Sequence, residues 1–570
     1  MRFVWRCAAV LLVLLVAAFT YPGAIVVSMV ARLTPALTAS SPVPSGVMPW
    51  LHVEHPSGGH PYIADDRGRL VLLHGAVPAA LLEFGTSNDW SAPPYPIDPA
   101  AYAGGQCPAI VSHSHYPPLC QSDIKQMAAL GFNSLRLPLS WSLLEPERGR
   151  FSQAYLDRAA QVVEWAGALG LHVIIDMHQN AYSEFVGPGP GVNLSANSGA
   201  PAWATLADGL QSKLFLKGQR EANPAVFESF SNFWYNRSGI QDEYIRTIGF
   251  LAKRFKDDST VAGYSIFNEP QPGWNLPPGF EDLLLFPFYR RVIDAVTGTH
   301  DGLPCPTGIF MPAFCGYADL GIHDLRHLFF LEPGLLRQIT DFPTHLGLPV
   351  SSYRNVVLDI HAYTHGFTIE ALLAPSSDPS RATYPWGGYD QTYSLAEREA
   401  KAMGAALFVS EFGNDPRYDS LLLTNELLQQ EKHRVGFAFW TWKENGSPSW
   451  GVYDAANTSV SPIASSGCMR PARERQLARV YPQASADPGL TFHYDSDTGA
   501  FILLAIGRSG DAATVVYIPR EVTGQVTVVG GADESVAANP DGSRSVTASP
   551  TGGGFSIAVT PAPSSLMGCQ

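Results

Sequence analysis

The 570-residue sequence predicts an eight-stranded parallel (β/α)₈ barrel followed by a small C-terminal antiparallel β-sandwich. Three observations predict it. From Trp50 to about Val480, short apolar runs alternate with amphipathic stretches, the pattern of parallel strands buried on both faces and the helices that cover them. Eight runs can be counted, the number that closes such a barrel. After Tyr481-Pro482 the runs become short, β-branched and aromatic, with Gly, Asp, Asn or Pro between them, as in antiparallel sandwiches.

At the N-terminus, Arg2 and Arg6 precede an uncharged stretch from Cys7 to Ala31, interrupted by Tyr21-Pro22-Gly23. A basic start followed by Ala8 to Phe19 reads as a secretory signal peptide. The whole stretch is also long enough to span a bilayer with the arginines inside. Residues 1–31 are therefore expected to be a signal peptide or an anchor, and 32–49 a Pro/Ser/Thr/Ala-rich linker. Either way the rest of the chain is expected outside the cytoplasm, secreted or membrane-anchored.

Barrel strands are expected at Leu70–Gly75, Ser134–Pro138, Val173–Met177, Val261–Phe267, Gly308–Pro312, Val356–Ala362, Ala406–Ser410 and Val435–Trp442. Apolar spacing of three and four predicts helices at Ser122–Leu130 and Ala154–Leu169. Long connections, Ala79–Cys120, Asn180–Ile240, Gln271–Phe286 and Thr364–Tyr393, follow strands and should stand over the C-terminal face of the barrel. The barrel is assigned to 50–480 and the sandwich to 481–570, with strands at Leu490–Tyr494, Phe501–Ile506, Thr514–Tyr517, Gln525–Val529 and Phe555–Val559. No row of exposed aromatics stands out there, so this domain is expected to pack on the barrel rather than bind sugar.

A hydrophobic content of 46% with 15% charged residues is that of a folded protein, not a disordered one. The net charge of −14 argues against a nucleic-acid partner, which needs basic patches. Apart from Cys7 there are six cysteines, an even number that suits an exported, disulfide-bonded chain. Proximity favours Cys107 with Cys120 and Cys305 with Cys315, leaving Cys468 with Cys569. No CxxC pair or histidine cluster suggests zinc, so neither metal nor cofactor is expected, and the protein is expected to be a monomer.

Two carboxylates carry the chemistry. Glu269 ends Ser265-Ile266-Phe267-Asn268-Glu269-Pro270, and Glu411 ends Leu407-Phe408-Val409-Ser410-Glu411-Phe412-Gly413. Each closes an apolar run ahead of a breaker, and in a barrel such strand ends converge on the catalytic face. Two carboxylates meeting there are the machinery of glycoside hydrolysis. Taken singly, each has an ordinary structural reading, a helix cap for Glu269 and an ion pair for Glu411. Other strand ends carry polar residues that a core would not want. Arg136 lies within Leu135-Arg136-Leu137-Pro138, and strand alternation puts Asp176, His178 and Asn180 on one side. His361 and Tyr363 repeat the pattern, and Trp440 and Trp442 stand at i and i+2.

In this order, Arg136, His178, Asn268-Glu269-Pro270, His361-x-Tyr363, Glu411 and the final Trp-x-Trp strand make residues 50–480 resemble glycoside hydrolase family 5, the retaining (β/α)₈ glycosidases. Asp176-Met177-His178-Gln179, His361-Ala362-Tyr363-Thr364-His365 with Phe367-Thr368, and the sandwich look most like the endoglycoceramidase subgroup. That subgroup tends to continue His-Gln with aspartate, where this chain has Asn180. The resemblance implies Glu269 as general acid/base, Glu411 as nucleophile, and Asn268 on the sugar 2-hydroxyl. It further implies that Arg136 and Tyr363 keep Glu411 ionised, that His178 and His361 line the sugar subsite, and that Trp440 or Trp442 forms its floor. Beside a charged Glu411, Glu269 is expected to titrate high.

A glycolipid substrate would need an apolar slot beside the sugar. Phe227, Phe230, Phe233, Trp234 and Tyr235, with Trp274, Phe280, Leu283, Leu284, Leu285 and Phe286, are candidates to line it, or else to form a satellite core under the loops. The expected substrate is a glucose-linked glycolipid, reached through contact with a membrane surface. A polysaccharide β-glucanase and a catalytically silent glycan-binding barrel are the rival readings.

Overall fold

The computed structural model describes residues 48–83, 95–108, 115–189, 197–213, 220–275, 277–300, 319–341, 343–344, 353–365, 388–444, 449–453 and 469–561. The expected segment 1–31, residues 32–47 of the expected 32–49 linker, the run Gly308–Pro312, and Cys305, Cys315, Cys468 and Cys569 lie outside them.

Eight parallel strands close a barrel: β1 (His74–Ala76), β2 (Ser134–Ser140), β3 (His172–His178), β4 (Val261–Ser265), β5 (Leu328–Leu331), β6 (Val356–His361), β7 (Ala406–Phe412) and β8 (Gly436–Phe439). Closure is made by β8 against β1, with Phe437 opposite His74. Almost every strand residue is buried, which is why these segments read as continuous apolar runs rather than alternating ones. The outer layer includes α1 (Gln121–Ala129), α2 (Gln153–Gly167), α3 (Ile240–Phe255), α4 (Phe286–Thr297), α5 (Leu335–Thr340), α6 (Tyr389–Met403), α7 (Leu422–His433) and α8 (Pro471–Leu477). Local signals start them. Asp123 at the third position of α1 accepts the Cys120 N–H at 2.9 Å, and the Ser152 hydroxyl accepts the Tyr155 N–H at the head of α2. A disulfide joins Cys107 to Cys120 and ties the long β1–α1 connection to the start of α1.

The strand count agrees with the sequence, but the fifth member differs. The fifth strand is Leu328-Phe329-Phe330-Leu331, bonded to β4 and β6. The first expected strand, Leu70–Gly75, is divided. His74–Ala76 enters the barrel, whereas Leu70–Val71 belongs to the second sheet.

That second sheet has nine antiparallel strands and takes three of them from the N-terminal side, His52–Glu54, Tyr62–Ala64 and Leu70–Val71. The contiguous 481–570 assignment thus needs correcting: Leu70–Val71 pairs with Tyr481–Ser485, so the chain enters the barrel through the domain in which it ends. Its last strand, Arg544–Val559, pairs first with Thr514–Ile518 and then, beyond Pro550, with Ala500–Gly507. The buried faces enclose one core that includes Leu70, Tyr481, Phe492, Leu503, Val516 and Ile557. The sheet seats on the N-terminal end of the barrel. Tyr481 stacks on His74 at 3.8 Å and donates to Gly131 O, and Tyr517 donates to Ala129 O, both just before β2. Its contacts are therefore with the end opposite the convergent carboxylates.

Candidate active site

The C-terminal ends of β2, β3, β4, β5, β6 and β7 bring their polar residues together. Arg136, wholly buried in β2, is the hub. Its Nη1 donates to Glu411 Oε1 at 2.5 Å; its Nη2 meets Asn268 Oδ1 and Glu332 Oε1, each at 2.9 Å, and Asp176 Oδ1 at 3.0 Å. A guanidinium without water is tolerable only with such partners. Burial would lower its pKa, but Asp176, Glu411 and Glu332 together outweigh that and raise it. Arg136 is a fixed positive charge.

Glu411 is aimed by its strand. The β7 register shifts between Val409 and Glu411 against β6, which sets Glu411 opposite His361. Such an irregularity re-aims a side chain at the rim of a barrel. Gly413 lets the chain just past β8 approach behind it: a Cβ there would lie 2.0 Å from Trp440 O. The second carboxylate oxygen, Oε2, accepts the Tyr363 hydroxyl at 3.0 Å.

Glu269 lies beyond the end of β4. Asn268 is held by its N–H to Met177 O, by Nδ2 to Gln179 O, and by Oδ1 to Arg136. Glu269 then adopts a left-handed backbone, φ 44°, unusual for a side chain and typical of a residue held by its surroundings. Two groups hold it: Glu332 Oε2 accepts its N–H at 2.7 Å, and Gln179 Nε2 donates to its carbonyl at 3.0 Å. Its side chain meets His361 Nδ1 at 2.9 Å.

His361 therefore sits between the carboxylates, 3.6 Å from Glu411 Oε2 and 3.3 Å from Glu332 Oε1. Burial would lower its pKa, but Glu332, Glu411 and the bond to Glu269 hold it well above the ordinary imidazole value. Burial pushes Glu411 up by more than His361 and Arg136 pull it down. For Glu269, the His361 contact outweighs burial and holds the carboxyl below its usual range. Against the expectation that Glu269 titrates high beside a charged Glu411, His361 lies between the two and lowers Glu269. The contact thus pairs a lowered carboxyl with a raised imidazole. Asp359, two residues before His361, is pushed up to about 7 by burial and Glu332.

The remaining candidates fall in different places. His178 Nδ1 bonds Asp176 Oδ2 at 2.8 Å, and its buried Nε2 finds no partner among the described residues, a polar atom directed at something else. Its ring lies parallel to half-buried Trp440 at 5.6 Å, so Trp440 stands at the site. Trp442 does not. Strand β8 ends at Phe439, so the alternation expected of the two tryptophans no longer applies. Trp442 is buried, donates to Asp123 of α1 and packs on Tyr453. Asn180 also lies beyond its strand, with Oδ1 accepting from Arg220.

The aromatic slot is corrected as well. Phe230, Phe233, Trp234, Phe280, Leu284 and Leu285 are buried and, with Phe267 and Phe288, belong to the main core. They are the floor under the loops. Phe227, Tyr235 and Leu283 are half-buried, and Trp274 is 52% exposed, edge-on to Phe227 at 5.1 Å and five residues past Glu269.

One residue of the site was missed. Glu332 closes Leu328-Phe329-Phe330-Leu331 and precedes Pro333-Gly334, the same run, carboxylate and breaker that mark Glu269 and Glu411. That signal was present in the chain, hidden because the strand was placed earlier.

One ligand atom from each of Glu269, His361 and Glu411 lies within 4.8 Å of the others. Donors already engage both oxygens of Glu411, so the set suits proton transfer and nucleophilic attack better than it suits a metal ion.

Known proteins share the family and the fold. Residues 103–446 match Cellulase (glycosyl hydrolase family 5). Endoglycoceramidase I of Rhodococcus hoagii is 24% identical over 475 residues, 80% of this chain and 78% of that protein. A crystal structure of an endogalactoceramidase superposes with a TM-score of 0.66 at 26% identity, covering 90% of this chain and all of that one. Endo-glycoceramidase II from Rhodococcus sp., in complex with ganglioside GM3, superposes with a TM-score of 0.65 at 24% identity, covering 88% and 99% of the two chains.

Proposed function

The chain belongs to glycosyl hydrolase family 5 and is a glycoside hydrolase, and on that premise we propose that it cleaves the β-glycosidic bond between a sugar and a lipid by double displacement. Glu411 is the nucleophile and Glu269 the general acid/base. The observation that carries the reading is the pair's geometry. One oxygen of each carboxylate lies within 4.8 Å of one of the other, with His361 between them, a closeness that fits the ~5–5.5 Å carboxyl spacing of a retaining pair.

Each residue then has a part. Arg136 and Tyr363 each hold one oxygen of Glu411, leaving its carboxylate aimed at the anomeric carbon. The His361–Glu269 pair delivers a proton to the departing oxygen, and Glu269 takes one back from water when the glycosyl-enzyme is hydrolysed. Asn268, fixed at both ends of its amide, takes the 2-hydroxyl, and His178 Nε2 takes another sugar hydroxyl. Trp440 lies under the ring, where an aromatic face tolerates developing positive charge.

A lipid aglycone is supported by the glycolipid-cleaving names of the relatives and by Trp274, 52% exposed and five residues past Glu269 in the chain. Mass spectrometry of products from a glycolipid panel tests the assignment. Free sugar or oligosaccharide together with intact ceramide or another lipid is the expected result. Turnover confined to long β-glucans would hand the case to the polysaccharide reading. Trp274→Ala should lower turnover of detergent-dispersed glycolipid by about tenfold while aryl β-glucoside cleavage changes little, because only the lipid uses that surface. Equal effects on both substrates would remove Trp274 from the aglycone site. The same reading has the enzyme act outside the cytoplasm at a membrane surface, supported by Arg2, Arg6 and the following apolar stretch, and by the Cys107–Cys120 disulfide.

The pH profile follows from the site. Glu411 must be ionised to attack, and its pKa is raised, so the acid limb of kcat/KM should lie above the ordinary glutamate value of about 4.3. Activity falls as pH drops through that limb. Loss of the proton from the His361–Glu269 pair ends catalysis on the other side, and His361 is raised, so the alkaline limb should lie above about 6.5. A profile of kcat/KM on an aryl β-glucoside checks both limbs.

A further inference from the structure

We propose that Glu332 is the positioning residue of the active site: one buried carboxylate binds the cation that holds the nucleophile and both the backbone and the imidazole partner of the acid/base. The inference rests on the roles given above to Glu269 and Glu411. It concerns a residue that touches neither sugar nor water in that scheme and acts through three others.

Glu332 leaves the end of β5 fully buried. Its Oε1 accepts from Arg136 Nη2 at 2.9 Å and lies 3.3 Å from His361 Nε2, while Oε2 accepts the Glu269 N–H at 2.7 Å. Its main-chain carbonyl accepts the Tyr289 hydroxyl at 2.8 Å, which pins the strand end itself. Besides the Tyr244 and Tyr289 hydroxyls, the charged and titratable groups around it are Arg136 from β2, Asp176 from β3, Glu269 after β4, Asp359 and His361 from β6, and Glu411 from β7. Four of these six are acids. Burying another carboxyl among them costs free energy that an apolar or amide side chain of similar size would avoid. Stability alone therefore does not account for an acid at this position. The contacts do.

Three consequences follow from the geometry. Nη2 of Arg136 is tied down, which directs Nη1 at Glu411. The left-handed backbone of Glu269 receives an acceptor for its N–H, which fixes where its side chain leaves the chain. A negative group beside Nε2 favours the imidazolium form of His361, so the proton stays with the His361–Glu269 pair.

Glu332→Gln separates these effects from simple packing, since the amide oxygen can still accept the Glu269 N–H but the charge is gone. On an activated aryl β-glucoside, kcat should fall about 100-fold with KM within about threefold, the loss expected when reacting groups are misplaced. The alkaline limb of the pH profile should move to lower pH, and the His361 imidazole, followed by NMR in histidine-labelled protein, should titrate at lower pH as well. Glu332→Asp keeps the charge at shorter reach. Its alkaline limb and His361 titration should stay near those of the wild type while kcat drops about tenfold. A glutamine variant with an unchanged pH profile and unchanged His361 titration, losing only melting temperature, overturns the proposal. Should the glutamine variant not fold, an aspartate variant with wild-type kcat overturns it equally. The imidazole titration needs no substrate, so it decides the role of Glu332 even if no glycoside is turned over, a result that would count against the functional reading instead.

Discussion

Glu411→Gln should abolish turnover of every glycoside, by on the order of 10⁵-fold or more, while the protein folds and melts close to the wild type. The chemical loss is large because an amide cannot form the covalent glycosyl-enzyme, and removal of a nucleophile is not compensated by the rest of a catalytic set. The structural loss should be small for a reason visible in the site. Arg136, deprived of the Glu411 charge, still contacts Glu332 and Asp176, so no buried cation is left unpaired. With its oxygen turned to accept from Arg136 Nη1, the amide presents its NH₂ to the Tyr363 hydroxyl, which can rotate to accept. A 2-fluoroglycoside should label Glu411 in the wild type, as peptide mapping would reveal. Label on another carboxylate, or an active Glu411→Gln enzyme, would refute the assignment.

Glu269→Ala should cost about 10²–10⁴-fold on substrates with poor leaving groups and far less on an activated aryl glycoside. An activated leaving group departs without a proton, so the first displacement survives and the glycosyl-enzyme accumulates. Azide should then restore turnover and yield a β-glycosyl azide, since a small anion can enter the space the carboxylate leaves and needs no base. The substitution removes the bond to His361 but not the Glu269 N–H to Glu332, so the local backbone keeps its anchor. Equal losses on both leaving groups, with no rescue by azide, would assign the proton transfer elsewhere.

Much of this was legible in the residues alone. The barrel could be read because its strands are buried on both faces, which turns them into apolar runs, and because a carboxylate closing such a run is costly unless it has work at the rim. Glu269, Glu411, Arg136, His178, His361 and Tyr363 were all recognisable on that ground. Glu332 obeys the same rule and was overlooked only because the strand before it was placed elsewhere.

Where a strand ended, the sequence lost its authority. Alternation predicts side-chain direction only while the backbone stays extended, so Trp440 and Trp442, both beyond β8, went to different environments, and Asn180 met Arg220. The aromatic loops posed a related difficulty. Phe230 and Trp234 look the same in sequence whether they face a lipid or a core, and only packing against Phe267 and Phe288 decided for the core. Strand pairing across hundreds of residues was likewise invisible, and it joined Leu70–Val71 to Tyr481–Ser485. The seat of the proton is the clearest case. Composition and order name two glutamates and a histidine, but whether the acid is a lone carboxyl or a carboxyl–imidazole pair depends on ångström distances among Glu269, His361, Glu332 and Glu411. The sequence by itself determined the fold class and which ionisable groups stand at the rim of the barrel, because burial patterns and residue types are local properties. The tertiary structure alone decided their mutual distances, and with them the direction in which each proton affinity moves, because electrostatic coupling is set by separation and burial in space and not by position along the chain.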